Sequence, residues 1–462
     1  MKISRPPRRR DIFELFAEDK YYKYMNVGAV DKRGRYLPWD HFQYRVADGM
    51  VPEDAWVFAK DARRSSSKKI LEIPARDVEN IYFEDSYATL YVTDYLQQMC
   101  SKIDRLTSSA AEKELLGDSR ENEYLMSELR NEESISSSQL EGAVTTSRVA
   151  QEMLAVKRAP RNESEKMIIG NFDMMKYVRS HASEPLTTAM IRQIHFVGVS
   201  GINDEKYKPG QFRDNNEVVV EDVATGEILH QPPSYAELDE QIEKLCDWAN
   251  HSHQTDLTGN YLHPLLKACT LHFMIGYLHP FSDGNGRTAR ALFYWYMLKC
   301  GYTSFSYISI SHYLKKAMIG YGKAYLYTET DEFDLTYFVE FQCRKISEAV
   351  DGYVDYIKGY RKRSAELEQR LWRLSTTGEL NSRQRIILIM AAQQPGRLFT
   401  LSEAREKFKV SPNTIRKDFT ELAGAGFLRV HKDGRESVFV APKDIMQAVS
   451  WTGEAAARST DW

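Results

Sequence analysis

The sequence has little cysteine, and its cysteines are not arranged for a metal or disulfide framework. Five of them are scattered over 462 residues without any CxxC pair, and such spacing favours reduced, buried thiols of a cytoplasmic protein. The histidines likewise lack zinc-ligand spacing. The cysteines are Cys100, Cys246, Cys269, Cys300 and Cys343.

Long apolar runs are also missing, which argues against a membrane protein. No run approaches the roughly 18 residues that a spanning helix needs, and no apolar core follows the basic start MKISRPPRRR, as a signal peptide would require. We therefore expect a cytoplasmic protein with no membrane partner. The net charge of -3 excludes a globally basic nucleic-acid coat but leaves room for a local basic patch.

Hydrophobic residues make up 42% and charged residues 27% of the chain, as in ordinary globular proteins. The length of 462 residues suggests two or three domains, and helical periodicity predominates. We predict a mainly α protein with a small N-terminal accessory region, a helical core containing a β-hairpin, and a C-terminal winged helix of α/β type. The predicted segments are 1–85 for the accessory region, 86–346 for the core, 347–378 for a connecting helix, 379–445 for the winged helix and 446–462 for a tail. The run Arg63–Lys69, RRSSSKK, is predicted to be an exposed loop or linker.

One loop in the core concentrates groups that bind phosphate. Leu278 to Arg290 reads LHPFSDGNGRTAR, and an apolar helix is predicted to end before its glycines while a new helix begins after them. Main-chain N–H groups at such a helix start form an anion site. Arg287 lies three residues before Arg290, so the two share a helix face and can clamp further phosphates. The loop residues at the turn are Gly284, Asn285 and Gly286.

The same loop offers a base and a metal ligand. Asp283 stands next to the anion site, where a carboxylate would repel phosphate unless Mg²⁺ bridged them. His279 is the single near-neutral base within reach, and it is suited to take a proton from an incoming hydroxyl. The alternative, a surface turn with incidental charges, would account for a lone GNG but not for the whole set.

These residues resemble the signature of the Fic family, His-x-Phe-x-(Asp/Glu)-Gly-Asn-Gly-Arg-x-x-Arg, and every specified position is filled. The resemblance covers roughly 134–346. It implies a Fic-type helical core that transfers AMP from ATP to a Tyr, Ser or Thr hydroxyl of a protein. His279 would be the general base, Asp283 would hold Mg²⁺, and Arg287 and Arg290 would bind the β- and γ-phosphates. Main-chain N–H groups of Gly284, Asn285 and Gly286 would stabilise the developing charge.

Two further segments extend the resemblance. Lys208–Arg213, KPGQFR, and the hairpin after it resemble the family's flap, which holds the target peptide as an added strand. Tyr321 lies where relatives carry a tyrosine pair near the adenine pocket, with Gly322 in place of the second tyrosine; a stacking role and a core role for Tyr321 both stay open. The docking strand of the flap is predicted to be Val218, Val219 and Val220.

An inhibitory motif precedes the core. A Ser-rich run alone would indicate a linker or helix cap, but Ser137-x-x-x-Glu141-Gly142 resembles the Fic inhibitory motif and predicts an inhibitory helix near 130–142. The resemblance implies that Glu141 pairs with Arg290 and misaligns ATP, so that basal activity is low. The same glutamate could instead position a water that removes AMP, and the sequence does not separate these roles.

The C-terminal segment resembles a winged helix-turn-helix of bacterial repressors. Residues 382–442 contain 11 Lys/Arg and 6 Asp/Glu, a local excess of +5. Duplex DNA is the predicted partner, while winged helices also dock or dimerise proteins, and that alternative stays open. Candidate base contacts are Ser411, Asn413, Thr414, Arg416 and Lys417, and candidate phosphate contacts are Lys432 and Arg435 in the wing.

The leading hypothesis is therefore a self-inhibited protein adenylyltransferase that uses ATP and Mg²⁺, modifies an unidentified protein and also itself. The alternatives are AMP removal at the same site, and a winged-helix transcription regulator with a Fic sensor domain. A homodimer that covers the flap or the winged helix is left open.

Overall fold

A computed structural model of the chain describes residues 2–8, 10–17, 21–72, 87–116, 123–155, 157–222, 225–253, 261–376, 380–393, 396–433 and 436–442. The chain divides into two compact units. One comprises Met1–Glu112 with Leu129–Gly352, and the other comprises Lys113–Glu128 with Tyr353–Trp462. Helices dominate and the sheets have two or three strands, so the predicted mainly α class is confirmed. No helix among the described residues is both long and apolar enough to cross a bilayer.

The N-terminal part of the first unit contains three helices and a two-stranded antiparallel sheet. The prediction of an exposed linker at Arg63–Lys69 is wrong, because Arg63 lies in the last turn of a helix and Lys68 begins a strand. Arg63 is only 2% exposed. Its guanidinium donates to the carbonyls of Ala29 and Leu37 and lies 3.9 Å from the ring centre of Tyr36, so tertiary acceptors replace water around the charge. The elements are α1 (Ile12–Ala17), α2 (Trp39–Phe42), α3 (Pro52–Ser66), β1 (Lys68–Glu72) and β2 (Tyr87–Leu90).

The helical core follows, and its centre is α11. The sequence of α11, PLLKACTLHFMIGYL, is apolar around its whole circumference, and all of its residues except Gly276 are buried, as expected of a central helix. The helices up to the hairpin are α4 (Asp94–Thr107), α5 (Ser109–Leu116), α6 (Glu123–Leu140), α7 (Ser147–Ala155), α8 (Glu163–Ser180) and α9 (Thr188–Val199). The later ones are α10 (Leu238–Asn250), α11 (Pro264–Leu278), α12 (Asn285–Lys299), α13 (Ser311–Lys315), α14 (Met318–Thr330) and α15 (Thr336–Thr376).

The predicted hairpin is present but shorter than the sequence suggested. Strand β3 (Val220–Glu221) pairs antiparallel with β4 (Ile228–His230), and Gly226 in the turn has a φ of +68°. Val218 and Val219 were predicted to belong to the strand, but they precede it, and only Val220 is in β3. The bulge between Val220 and Glu221 interrupts the pairing at this point.

Helix α15 is 41 residues long and joins two predicted helices into one. The sequence predicted a core that ends at 346, with Asp334–Phe341 resembling its closing helix, and a separate connecting helix over 347–378. No residue between them interrupts helical hydrogen bonding in α15, since the intervening QCRKI lacks proline and glycine. The predicted end of the connecting helix at Thr377 and Gly378 lies outside the described residues.

The second unit contains the winged helix-turn-helix that the sequence predicted. Ser411 caps α18 by accepting a hydrogen bond from the main-chain N–H of Thr414. Phe419 and Phe439 stack with ring centres 4.8 Å apart and join α18 to the sheet. The elements are α16 (Ser382–Gln393), β5 (Leu398–Phe399), α17 (Leu401–Phe408), α18 (Pro412–Gly424), β6 (Arg429–Asp433) and β7 (Glu436–Val440), with sheet order β5-β7-β6.

Candidate active site

The phosphate loop connects α11 to α12, and its shape depends on two residues in left-handed conformation. His279 ends α11 with a φ of +47°, and Gly284 begins α12 with a φ of +84°. Between them, the side chain of Asn285 accepts from the N–H of Phe281 at 2.9 Å and donates to its carbonyl at 2.7 Å. The amide of Asn285 therefore closes the loop, and its contribution to an anion site comes from the main chain.

His279 is held as a neutral base. Its Nδ1 lies 3.0 Å from the carbonyl oxygen of Gly276, which can only accept, so Nδ1 carries the proton and Nε2 keeps a lone pair. Burial, together with the neighbouring charge of His230, lowers the pKa of His279 to about 4. At neutral pH the imidazole is ready to accept a proton.

The anion cradle at the start of α12 contains a carboxylate. A Cβ atom placed on Gly286 would collide with Oε1 of Glu141, so only glycine leaves room for an acidic group this close to the helix start. Helix N-termini favour negative charge. The Glu141 carboxylate thus stands where a phosphate oxygen would be expected.

Ser137 and Glu141 both contact Arg290, across 153 and 149 residues of sequence. The guanidinium of Arg290 donates to Ser137 Oγ at 2.9 Å and to Glu141 Oε1 at 2.7 Å. Arg290 is 1% exposed. Although burial acts to lower it, the pKa of Arg290 is raised by the charge of Glu141. The fold therefore brings together the three residues that the sequence linked to the inhibitory motif.

Arg287 has hydrogen-bond donors that no described residue accepts from. One of its nitrogens donates to the carbonyl of Gly198 at 3.1 Å. Its Nε and Nη2 atoms are buried and have no hydrogen-bond partner among the described residues. A buried guanidinium with two unused donors is costly unless an anion arrives, and this fits a phosphate ligand.

Asp283 is held by a lysine in the ligand-free loop. Its carboxylate lies 2.8 Å from Nζ of Lys206, and this hydrogen bond raises the pKa of Lys206. No cluster of three metal-ligating side chains occurs in the described parts of the chain. Asp283 alone fits Mg²⁺ only in the manner of nucleotide sites, where phosphate oxygens and water complete the shell.

Arg213, which sequence reasoning did not single out, attaches the segment before the flap to the catalytic loop. Its side chain donates to the carbonyls of His279 and Asn215 at 3.0 Å each, and also to that of Pro233. Its N–H donates to the carbonyl of Pro280. The available signal was the arginine that ends the motif KPGQFR.

His230 at the end of β4 was also missed. Its Nδ1 lies 2.6 Å from Glu329 Oε2, and its Nε2 lies 2.8 Å from the carbonyl oxygen of Tyr277. Both partners only accept, so both ring nitrogens donate and the ring is positively charged. Burial opposes this charge, but Glu329 raises the pKa of His230. The pair joins the flap to α11 and α14.

A third missed residue, His195 of α9, supports the loop from below. Its ring stacks on Phe281 with centres 3.7 Å apart. Its Nε2 donates to the carbonyl of Asp283, and its Nδ1 accepts from Gly210 N–H. Burial lowers the pKa of His195 to about 4, so it stays neutral. The isolated histidine in an apolar helix gave no functional signal.

Tyr321 lies between the site and the aromatic core. Its hydroxyl is 2.8 Å from Nε2 of His272, and its ring lies near Phe341 with centres 6.3 Å apart. The charge of Arg290 lowers the pKa of Tyr321, against a larger rise caused by burial. The residue thus has core contacts and also lies near Arg290.

Helix α6, which carries Glu141 just beyond its end, is attached to the segment before α14. Glu133 is buried and accepts hydrogen bonds from the hydroxyls of Ser309 and Ser311 at 2.9 and 2.5 Å. Lys315 donates to Gln139 at 2.6 Å. These contacts fix α6, and with it Glu141 at its end.

In the winged helix, the predicted DNA contacts cluster at the start of α18. Asn413 and Arg416 are exposed there, while Nζ of Lys417 lies 3.8 Å from Glu421. Lys432 is in strand β6. Arg435 lies outside the described residues.

Comparison with known proteins identifies two parts of the chain. The model of the Fic/DOC family matches residues 185–297, and the model of the DeoR-like helix-turn-helix domain matches residues 383–438. Among curated relatives, "Protein adenylyltransferase Fic" of Nematostella vectensis is 30% identical over 36% of this chain and 37% of its own length. Its namesake in Drosophila willistoni is 29% identical over 29% of this chain and 24% of its own length. The chain thus matches well under half the length of these relatives.

A solved Fic family protein from Desulfovibrio desulfuricans G20 is 17% identical and has a TM-score of 0.48, with 74% of this chain and 94% of that chain covered. A Fic domain-containing signaling protein from Bacteroides thetaiotaomicron is 21% identical with a TM-score of 0.46, covering 58% of this chain and 97% of that one. The two domain-model matches show that the chain contains a Fic/DOC domain within residues 185–297 and a DeoR-like helix-turn-helix domain within residues 383–438.

Proposed function

We propose that this protein is a protein adenylyltransferase that is inhibited by its own Glu141. The observation that carries the proposal is the Glu141 carboxylate against Gly286, paired with Arg290 at 2.7 Å. An anion already occupies the cradle, and the arginine that would hold a terminal phosphate is engaged. The relatives named protein adenylyltransferase support the reaction class.

In the proposed reaction a Tyr, Ser or Thr hydroxyl of a target protein attacks the α-phosphorus of ATP. His279 Nε2 takes the hydroxyl proton, a new O–P bond forms, and the bond between the α-phosphorus and its bridging oxygen breaks to release pyrophosphate. N–H groups of Gly284, Asn285 and Gly286 stabilise charge on the α-phosphate. Arg287, with two unused donors, and Arg290 bind the β- and γ-phosphates.

The proposed metal role belongs to Asp283. The Asp283 carboxylate would hold Mg²⁺, which would supply positive charge to offset that of the nucleotide phosphates. Lys206 must then leave the Asp283 carboxylate, and the exposed position of its side chain, 55% accessible, allows that movement. Val218, Val219 and Val220 are the proposed docking edge for the target peptide, and Tyr321 is the proposed neighbour of the adenine.

The domain boundaries given above, the cytoplasmic location and the inhibitory helix near 130–142 belong to the same proposal. AMP removal is the alternative reaction, favoured by the position of the Glu141 carboxylate in the anion cradle, where it could orient a water. A transcription regulator with a Fic sensor is the alternative at the level of the whole chain, supported by the DeoR-like match.

The deciding experiment incubates the full chain with Mg²⁺ and ATP labelled at the α-phosphate. Glu141→Gly should incorporate at least about tenfold more label than wild type, because freeing one oriented arginine restores about 2–4 kcal/mol of transition-state stabilisation. Glu141→Gly/His279→Ala is the blank. Glu152→Gln is the matched control, since Glu152 forms an exposed pair with Arg148.

Equal labelling of wild type and Glu141→Gly would refute inhibition by Glu141. Labelling in the blank would remove His279 as the base. If no form is labelled, previously AMP-modified protein should be offered to wild type and Glu141→Gly, and loss of AMP only with wild type would establish the removal reaction.

A further inference from the structure

A second cavity lies in the first unit, apart from the phosphate loop. Its volume is about 720 Å³, within the range of about 300–1,000 Å³ that is usual for small-molecule sites. The walls come from the loop at 33–38, from α2 and its end, and from helices α4, α14 and α15. None of its lining residues belongs to Leu278–Arg290. We call this space the basic cavity.

Cationic side chains dominate its lining. Five lining residues are Arg or Lys and two are Asp or Glu. Of the five, Arg35 is paired with Asp31 at 2.6 Å and Lys323 lies 3.7 Å from Asp40. Arg33 and Arg344 are exposed and make no salt bridge within the described part of the chain, and Arg344 lies near the hydroxyl of Tyr95 and the carboxyl group of Glu340. Arg45 donates to the carbonyl of His41. The excess of cationic side chains in the lining favours an anion, and phosphate most of all.

His41 also lines the cavity, and its pKa depends on burial and on the charges around it. Burial lowers the pKa of His41, Asp40 opposes that shift, and the charges of Arg45 and Lys323 lower it further. The cavity therefore stays cationic through its arginines and Lys323 while His41 remains neutral.

Aromatic walls add a place for a planar ring. Tyr36, Tyr95, Tyr327 and Tyr337 all line the cavity. The hydroxyl of Tyr327 donates to Asp40 at 2.8 Å, and that of Tyr337 donates to Asp331 at 2.6 Å. These bonds hold the rings in place before any ligand arrives, so a flat ligand loses little by ordering them.

Two lining residues, Asp94 of α4 and Glu340 of α15, give the cavity carboxyl groups that can accept hydrogen bonds. Asp94 is the first residue of α4, and Glu340 accepts a hydrogen bond at 2.7 Å from Thr93, which caps that helix. Burial raises the pKa of Glu340 to about 7, so its repulsion of an anion is partial at neutral pH. Carboxyl oxygens are natural acceptors for sugar hydroxyls.

We propose that the basic cavity is a binding site for a mononucleotide. Arg33 and Arg344 contact its phosphate, the tyrosine walls receive its base, and Asp94 and Glu340 accept from its ribose hydroxyls. The site is independent of the proposed adenylyltransferase activity, since it shares no residue with the phosphate loop. Both sites do border α14, where Gly320, Lys323 and Tyr327 line the cavity and Tyr321 turns toward His272.

The location can be tested directly. Crystals of the full chain soaked with 8-bromo-AMP should give an anomalous bromine peak between the tyrosine walls of the basic cavity. A bromine peak only at the Gly284–Gly286 loop, or none in an otherwise ordered crystal, would overturn the proposal.

Solution binding tests the charges. Calorimetric titration of AMP into Arg33→Glu/Arg344→Glu should show at least about tenfold weaker binding than wild type. Arg105→Glu is the matched control, because Arg105 is an exposed arginine of α4 that does not line the cavity. Melting curves verify that each variant is folded. Equal affinity of the double variant and the control contradicts the site, and equal affinity of inorganic phosphate and AMP contradicts a mononucleotide.

Discussion

His279 owes its neutral form, with a lone pair free on Nε2, to its surroundings. The carbonyl of Gly276 fixes which nitrogen carries the proton, and burial with the charged His230 disfavours a second proton. A histidine in water would be about half protonated near pH 6.5. In the fold, the neutral form extends to lower pH.

The lowered pKa of His279 predicts that activity persists to an unusually low pH. With Glu141→Gly protein, kcat/KM should stay level from pH 8 to about 5 and should fall only as the pH approaches about 4, the pKa of His279. Removing Glu141 lowers that pKa further, because its negative charge acts to raise it. Rates would be measured with ATP binding and circular dichroism at each pH as controls. A decline centred near pH 6.5 would contradict the buried neutral base.

The His230–Glu329 pair predicts a pH-dependent stability. Because the folded-state pKa of His230 is raised, its stabilisation is complete below the unfolded value of about 6.5 and is lost as the pH rises through the folded-state pKa. Glu329→Gln should reduce the free energy of unfolding by about 3–5 kcal/mol at pH 6, since it leaves a buried charge unpaired.

Urea unfolding of wild type, Glu329→Gln, His230→Asn and the double variant at pH 6 and pH 9 would measure this. Wild type should lose stability toward pH 9, while Glu329→Gln should lose much less. The double variant should be less destabilised than the sum of the single changes. Additive losses, or a loss below about 0.5 kcal/mol in Glu329→Gln, would argue against a charged pair.

Much of the residue-level site was predictable because its groups are close in sequence. His279 to Arg290 span one loop, so local helix geometry alone brings base, carboxylate and arginines together. Arg213, His230 and His195 were not predictable, because each acts through main-chain carbonyls of distant segments. Every residue has a main-chain carbonyl, so the sequence does not indicate which one will accept a hydrogen bond from a distant side chain.

At the scale of elements, the position of α6 depends on its attachment to the segment Ser309–Lys315. Glu133 is buried there among serine hydroxyls. Sequence analysis identified the motif at the end of α6 but not this anchor, because a glutamate directly before a serine-rich run is typical of a solvated helix face.

Ser311→Ala should therefore weaken the proposed inhibition by Glu141. Removing one donor to buried Glu133 costs about 1–3 kcal/mol without changing any group that touches Arg290, and basal automodification should rise by about three- to tenfold. Ser347→Ala is the matched control, since Ser347 accepts from the amine of Lys102 on the same unit. In a Glu141→Gly background, Ser311→Ala should add nothing. Wild-type labelling by Ser311→Ala together with a lowered melting temperature would mean that the anchor serves folding alone.

The types of the helices and strands were predicted well, but their first and last residues were predicted less well. The C-terminal segment was predicted to be a winged helix-turn-helix, which the fold and the DeoR-like match confirm. Arg63 was misassigned because its partners lie 26 to 274 residues away, and local polarity is a poor guide where tertiary acceptors replace water.

At the scale of the whole molecule, the winged helix predicts an association with duplex DNA. The full chain should bind a duplex with an affinity that falls at least about tenfold between 50 and 200 mM salt, since each phosphate contact releases counterions. Arg416→Ala/Lys417→Ala should weaken binding several-fold. Arg148→Ala, an exposed arginine outside the winged helix, is the matched control in fluorescence anisotropy. Binding that ignores salt, or equal affinities of the variants, would indicate a protein-docking role.

The sequence by itself determined which residues the loop between α11 and α12 brings together and the helical character of the chain, because both depend on residues within a few turns of one another. Only the tertiary structure decided that Ser137 and Glu141 reach Arg290, that Glu133 fixes their helix, and that Arg33 and Arg344 open on one cavity. The contacts of Arg290 and Glu133 depend on burial, which removes water from charged groups and forces each to find a partner far along the chain.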